Sequence, residues 1–171
     1  MFFGCTSLTT AQKILPATKL TYADFCYENM FERCTSLTTA PELPATKLGG
    51  QCYGYMFRKC TSLTTAPELP ATELTNYCYN YMFDGCTSLT TAPELPATKL
   101  AYGCYENMFS NCTNLNHITC LATNISASIC VSNWTKGVAS TGTFVKHSDM
   151  NNWSTGTSGI PSGWTVVDAE L

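Results

Sequence analysis

Residues 34–46 read CTSLTTAPELPAT, and the same thirteen residues return unchanged from Cys60 and from Cys86, a period of 26. A degraded copy starts at Cys5 (CTSLTTAQKILPAT) and another at Cys112 (CTNLNHITCLATN). A second landmark, Cys-Tyr-x-x-Met-Phe, starts at Cys26, Cys52, Cys78 and Cys104, and the last repeat answers with Cys130 and with Trp134 where Met would stand. A unit this short cannot bury an apolar face alone, so neighbouring units must stack and share one core, with identical side chains in columns. The first unit carries three extra residues, one before Leu15 and two between Leu20 and Cys26, which are expected to bulge from turns.

Within one unit, Leu37, Ala40 and Leu43 lead into Pro44, and the Thr-rich stretch predicts a short strand closed by a proline turn. Pro41 removes a donor from the middle of that strand, so pairing there is interrupted. Leu48 marks a second inward point. Cys52, Met56, Phe57 and Cys60 fall at i, i+4, i+5 and i+8, which predicts a short helix or 3-10 turn with one apolar face.

The pattern Phe31-x-x-Cys34-x-x-Leu37-x-x-Ala40-Pro41-x-Leu43-Pro44-x-x-x-Leu48, repeated from Phe57, Phe83 and Phe109, resembles the BspA-like leucine-rich repeats of bacterial surface proteins. Met30, Met56, Met82 and Met108 stand where that family usually has alanine, and its coil is commonly a little shorter. The tail, through GTFVKH (142–147) to GIPSGWTVV (159–167), is similar to endings of such proteins in gut Bacteroides-type bacteria. The resemblance implies a curved α/β leucine-rich-repeat solenoid of about five 26-residue coils over residues 1–130. It further implies binding or adhesion at the cell surface or after secretion, with no family-wide catalytic site. After Cys130 the composition shifts to Gly, Ser, Thr and Asn, and all three tryptophans lie here, so residues 131–171 read as a C-terminal β-rich cap.

Composition narrows the function classes. Of 171 residues 44% are hydrophobic, enough to bury a core, and 12% are charged, with 9 basic against 12 acidic side chains. A formal charge of -3 rules out an electrostatic nucleic-acid binder. No apolar run approaches the roughly 20 residues of a membrane-spanning helix, and residues 1–4 (MFFG) do not read as a signal peptide.

The eleven cysteines form two columns of five (Cys26, Cys52, Cys78, Cys104, Cys130 and Cys5, Cys34, Cys60, Cys86, Cys112) with Cys120 alone. Odd columns cannot pair completely, so reduced, buried thiols are expected. His117 has only Cys112 or Cys120 nearby in sequence, and no metal or cofactor is expected. Two histidines outside any nucleophile or zinc motif give no catalytic constellation, and a non-enzyme is expected. Glu42, Glu68 and Glu94 read as a solvated column, partly screened by Lys47 and Lys99, with Glu73 replacing Lys in the middle coil.

Comparison of the copies places variation beside the Cys-Tyr segment: Lys47 against Glu73, Gly49-Gly50-Gln51 against Thr75-Asn76-Tyr77, and Arg58-Lys59 against Asp84-Gly85. The tyrosine edge there (Tyr53, Tyr55, Tyr77, Tyr79, Tyr81, Tyr102 and Tyr105) is the candidate contact surface for a protein or glycan, against the alternative that regularly spaced tyrosines fill the core. A phage or prophage adhesin or structural component is an equally structural setting. Columns of Ser36, Ser62, Ser88 and of Thr38, Thr64, Thr90 and Thr39, Thr65, Thr91 offer hydroxyl arrays suited to ice or crystalline polysaccharide, or simply favourable strand packing. The array opens in mid-coil at Met1-Phe2, and self-association through the N-terminal coil is expected.

Overall fold

The computed structural model describes residues 1–21 and 23–170. Repeat lies on repeat through parallel single-residue bridges: Thr39 to Thr65, Lys47 to Glu73 and Thr91 to His117, each one period apart. In the first repeat the partner of Thr10 lies 29 residues ahead, and the partners of Ile14 and Lys19 lie 28 ahead. By Asn29, which donates its N–H to Gly54 O, alignment with the regular period is restored. The additional residues are therefore absorbed at the two predicted places.

Bridges stay isolated where Pro41, Pro67 or Pro93 interrupts the donors. The repeat that starts at Cys112 has Ile118-Thr119 in place of Ala-Pro, and there the first continuous strand forms: β1, His117–Cys120. It is followed by β2, Thr143–Lys146, and β3, Thr165–Asp168, in one parallel sheet of order β1-β2-β3 with His117, Thr143 and Thr165 in register. Ile118, Cys120 and Phe144 are buried, whereas β3 is exposed along its length.

The expected α/β leucine-rich-repeat solenoid, with strands and a helical or 3-10 segment in every coil, is not what forms. Among the described residues there is no helix, and strands are limited to three of four residues each, lying between His117 and Asp168 in one sheet rather than in a separate β cap. The segments expected to be helical are ribbons of consecutive turns. In the second ribbon Gly54, Met56, Arg58 and Cys60 donate their N–H groups to the carbonyls three residues back, while Gln51, Tyr55, Phe57 and Lys59 donate to the next repeat at Asn76, Asn80, Met82 and Asp84.

Two physical reasons favour the ribbon. Phe31, Phe57, Phe83 and Phe109 stack with ring centroids 5.7, 5.7 and 5.8 Å apart, close to the roughly 4.8 Å of neighbouring strands, whereas packed helix axes need about 8–10 Å. A helix also consumes its interior N–H groups internally and leaves none for the adjacent coil. The apolar side chains that the ribbon buries (Cys52 and Tyr53, then Met56 and Phe57, then Cys60) recur every four residues, and over nine residues that period mimics 3.6.

Side-chain columns fill the core: Leu37, Leu63, Leu89 and Leu115, the four phenylalanines, and Cys34, Cys60, Cys86 and Cys112, all at most 1% exposed. Trp134 takes the place of Met in the fifth repeat, since its carbonyl accepts the Phe109 N–H as the Met108 carbonyl accepts that of Phe83. Its indole meets Tyr105 at 6.2 Å and Phe109 at 6.4 Å, ending both aromatic columns, and stacks on Trp153 at 5.5 Å. Among the described residues no helix is long and apolar enough to cross a membrane.

Candidate functional site

The seven tyrosines of the expected contact edge separate into two groups. Tyr53, Tyr79 and Tyr105 are each 1% exposed and stack through the interior, Tyr53 on Tyr79 at 6.0 Å and Tyr79 on Tyr105 at 6.2 Å. They fill the core and present no contact surface, because burying their rings is what closes the column. Burial first, and then neighbouring phenol and thiol groups, raises their pKa values. Tyr55, Tyr77 and Tyr81 remain half-buried and Tyr102 is exposed.

Tyr55 and Tyr81 stack at 4.8 Å, and the Arg58 guanidinium lies 5.6 and 5.9 Å from their ring centroids. Arg58 belongs to a column that reads Glu32, Arg58, Asp84, Ser110, so a cation sits between two anions. Its Nε donates to Asp84 Oδ2 at 3.0 Å and its Nη1 to Glu32 Oε1 at 3.3 Å, and Asn111 Nδ2 donates to Asp84 Oδ1 at 2.9 Å. Glu32 and Asp84 are buried. Desolvation lowers the Arg58 pKa, but the hydrogen bond and charge of Asp84 and the charge of Glu32 outweigh it, so the guanidinium is held charged and fixed over the two rings.

One turn earlier on the ribbon lies a cleft of about 580 Å³ between Phe25 and Tyr77, with Gly50 and Gln51 as its floor. Phe25, Gln51 and Tyr77 occupy the same ribbon position in three successive coils, all with left-handed backbone (φ 60, 54 and 58°). The fourth member of that column is Gly103, where an added Cβ would lie 2.5 Å from the Tyr77 ring. Its missing side chain leaves room for the Tyr77 ring, which packs over Gly103, edge-on to Tyr102 at 5.2 Å, and lines the cleft. The neighbouring Tyr102 phenol raises the Tyr77 pKa. On the other side Asp24 Oδ1 accepts the Gly50 N–H at 2.7 Å. Of these lining residues only Tyr77 was named in the expected contact edge. The Gly49-Gly50-Gln51 difference is visible between the repeats, whereas Asp24 and Phe25 lie beside the additional residues of the first repeat, where the regular period is broken.

The remaining candidates lie apart from these two places. All eleven cysteines are free thiols, and Cys34, Cys60, Cys86 and Cys112 each donate Sγ–H at 3.0 to 3.1 Å to the carbonyl of Phe2, Phe31, Phe57 and Phe83, the phenylalanine one coil back. Burial pushes Cys60, Cys78, Cys112 and Cys120 up to about 12. His117 stands in β1 beside Thr119, and His147 Nδ1 accepts the Asp149 N–H at 3.1 Å. Glu42, Glu68 and Glu94 are exposed on the rims of two equivalent proline-lined grooves. Thr38, Thr39, Thr64, Thr65, Thr90 and Thr91 are exposed, but Thr38 and Thr64 turn their hydroxyls onto carbonyls of the preceding coil at 3.3 Å.

Comparison with family models, curated proteins and solved structures gave no match.

Proposed function

We propose that the chain is a non-enzymatic recognition or adhesion module that binds a protein or glycan at the bacterial surface. The observation that carries this reading is the rigid patch of Tyr55, Tyr81 and Arg58 on the side of the stack where the repeats differ from one another. Aromatic rings and arginine dominate binding hot spots because they bring large contact area at little conformational cost, and the buried carboxylates of Glu32 and Asp84 have already fixed this arginine. Asn29 and Asn107 occupy the tyrosine position in the flanking coils, so the ring pair is confined to two coils. The setting at a bacterial surface rests on the sequence resemblance to BspA-like repeats; a phage or prophage adhesin would present the same patch.

The test is an array that carries purified extracellular-matrix proteins and bacterial and mammalian glycans, probed with the labelled chain. Saturable binding to a defined spot, weakened at least tenfold by the double substitution Tyr55→Ala and Tyr81→Ala, is expected. Absence of saturable binding across the array, or binding indifferent to that change, refutes the reading. Self-association belongs to the same proposal: Phe3 is 53% exposed on the first coil, and Phe3→Ser is expected to reduce any concentration-dependent dimer seen in sedimentation.

A further inference from the structure

Resting on that recognition reading, we infer that the cleft between Phe25 and Tyr77 is a binding site for a single six-membered ring of a neutral sugar. Three departures from the repeat, each confined to one coil, build it. The surplus residues of the first coil bring Ala23 against the second coil at Gly49, where an added Cβ would meet the Ala23 carbonyl oxygen at 2.7 Å. Gly50, where the third coil has Asn76, leaves the floor bare, and its N–H holds the Asp24 carboxylate in place. Gly103 makes room for the Tyr77 ring, which forms the far wall. A repeated groove is explained by repetition alone, but a cleft assembled from three unrelated exceptions is not.

The exposed aromatic points to the same place: Phe25 is 56% exposed, so burial does not account for a ring at that position.

The chemistry of the lining selects the ligand. Phe25 and Tyr77 stand two coils apart, about 10 Å at ordinary strand spacing, with Gln51 of the intervening coil between them. Between them Gln51 and Asn76 offer amide donors and acceptors, and Asp24 offers the carboxylate oxygen that Gly50 does not use. Aromatic walls suit the apolar C–H face of a pyranose, and amides with one carboxylate suit its vicinal hydroxyls. Among the residues that line the cleft there is no cation, which disfavours a phosphate, sulfate or uronate.

Saturation-transfer NMR with soluble neutral oligosaccharides (gluco-, manno-, galacto-, xylo- and N-acetylglucosamine series) tests the assignment. At least one series is expected to receive magnetisation at millimolar concentration. Phe25→Gly, Gln51→Ala and Gly50→Asn, which restores the repeat and fills the floor, are each expected to weaken binding at least tenfold. Phe25→Gly is expected to do so without lowering the melting temperature, a combination that a structural role for Phe25 would not give. No transfer to any series, transfer that survives both Phe25→Gly and Gly50→Asn, or a cleft that takes only a protein partner would each overturn the site. Array binding that depends on Tyr55 and Tyr81 while the sugars fail would overturn this inference alone; sugar binding in the cleft with an inert tyrosine pair would overturn only the patch.

Discussion

Replacing Phe57 by alanine removes a ring that has no solvent exposure and is stacked on both faces, by Phe31 and by Phe83, each at 5.7 Å. A buried aromatic side chain covers about 150–250 Å², and at about 25 cal/mol per Å² the part beyond Cβ is worth roughly 3–4 kcal/mol. The ladder of backbone hydrogen bonds, Phe31 N–H to Met56 O and Phe57 N–H to Met82 O, keeps the coils from closing over the gap. The loss is therefore expected at about 3–5 kcal/mol. Phe2, in the first coil of the same column, is 41% exposed and stacks on one ring, Phe31, at 5.4 Å, so Phe2→Ala is expected to cost about 1–2 kcal/mol. Urea unfolding followed by circular dichroism and by tryptophan fluorescence measures both. The three tryptophans lie from Trp134 onward, so coincident curves also establish that the stack unfolds as one unit. Equal losses at Phe57 and Phe2, or a loss under about 1 kcal/mol at Phe57, would refute the column as the seat of stability.

Lys59 is exposed with φ 60°, at the position that Gly85 fills in the next coil; Lys59→Gly is expected to stabilise by about 0.5–1 kcal/mol, the relieved strain less the entropy of glycine, read from the urea midpoint. Native thiol titration is expected to label Cys5 at once and Cys26 more slowly, with the full eleven appearing only in denaturant; four or five disulfides by mass spectrometry would contradict the free-thiol columns. Burial raises the Glu106 carboxyl, so the folded state holds that proton more tightly than the unfolded chain does and loses stability as pH climbs through the folded value. Glu106→Gln is accordingly expected to raise the melting temperature at pH 7, with the advantage gone below about pH 4, where both states are protonated.

The period, the columns and the place of the surplus residues in the first repeat were legible because identical phrases 26 residues apart can satisfy one another only by stacking. The inward set Leu37, Phe57 and Cys60 was legible for the same reason. The conformation of the Cys-Tyr segment was not. Its period of four reads as a helix until the coil spacing is known, and that spacing is set by ring stacking and bridges between repeats, not by local preference. Left-handed residues such as Phe25, Tyr55 and Lys59 carry no glycine or turn signature, because the strain is borne by bonds to the neighbouring coil. At the candidate surface, Tyr53 and Tyr55 look equivalent in the sequence, yet two residues along the ribbon place one inside and the other at the rim.

The turn ribbons also give the molecule a mechanical grain. Every second amide of a ribbon is lent to the neighbouring coil, always alongside a thiol or bridge contact in the same layer, so tension applied along the stack meets a whole layer of bonds before any chain is released. Once a layer parts, a repeat of 26 residues comes free together, about 90 Å of contour at roughly 3.4 Å per residue. A stack built this way yields in discrete lengths and absorbs work at each one.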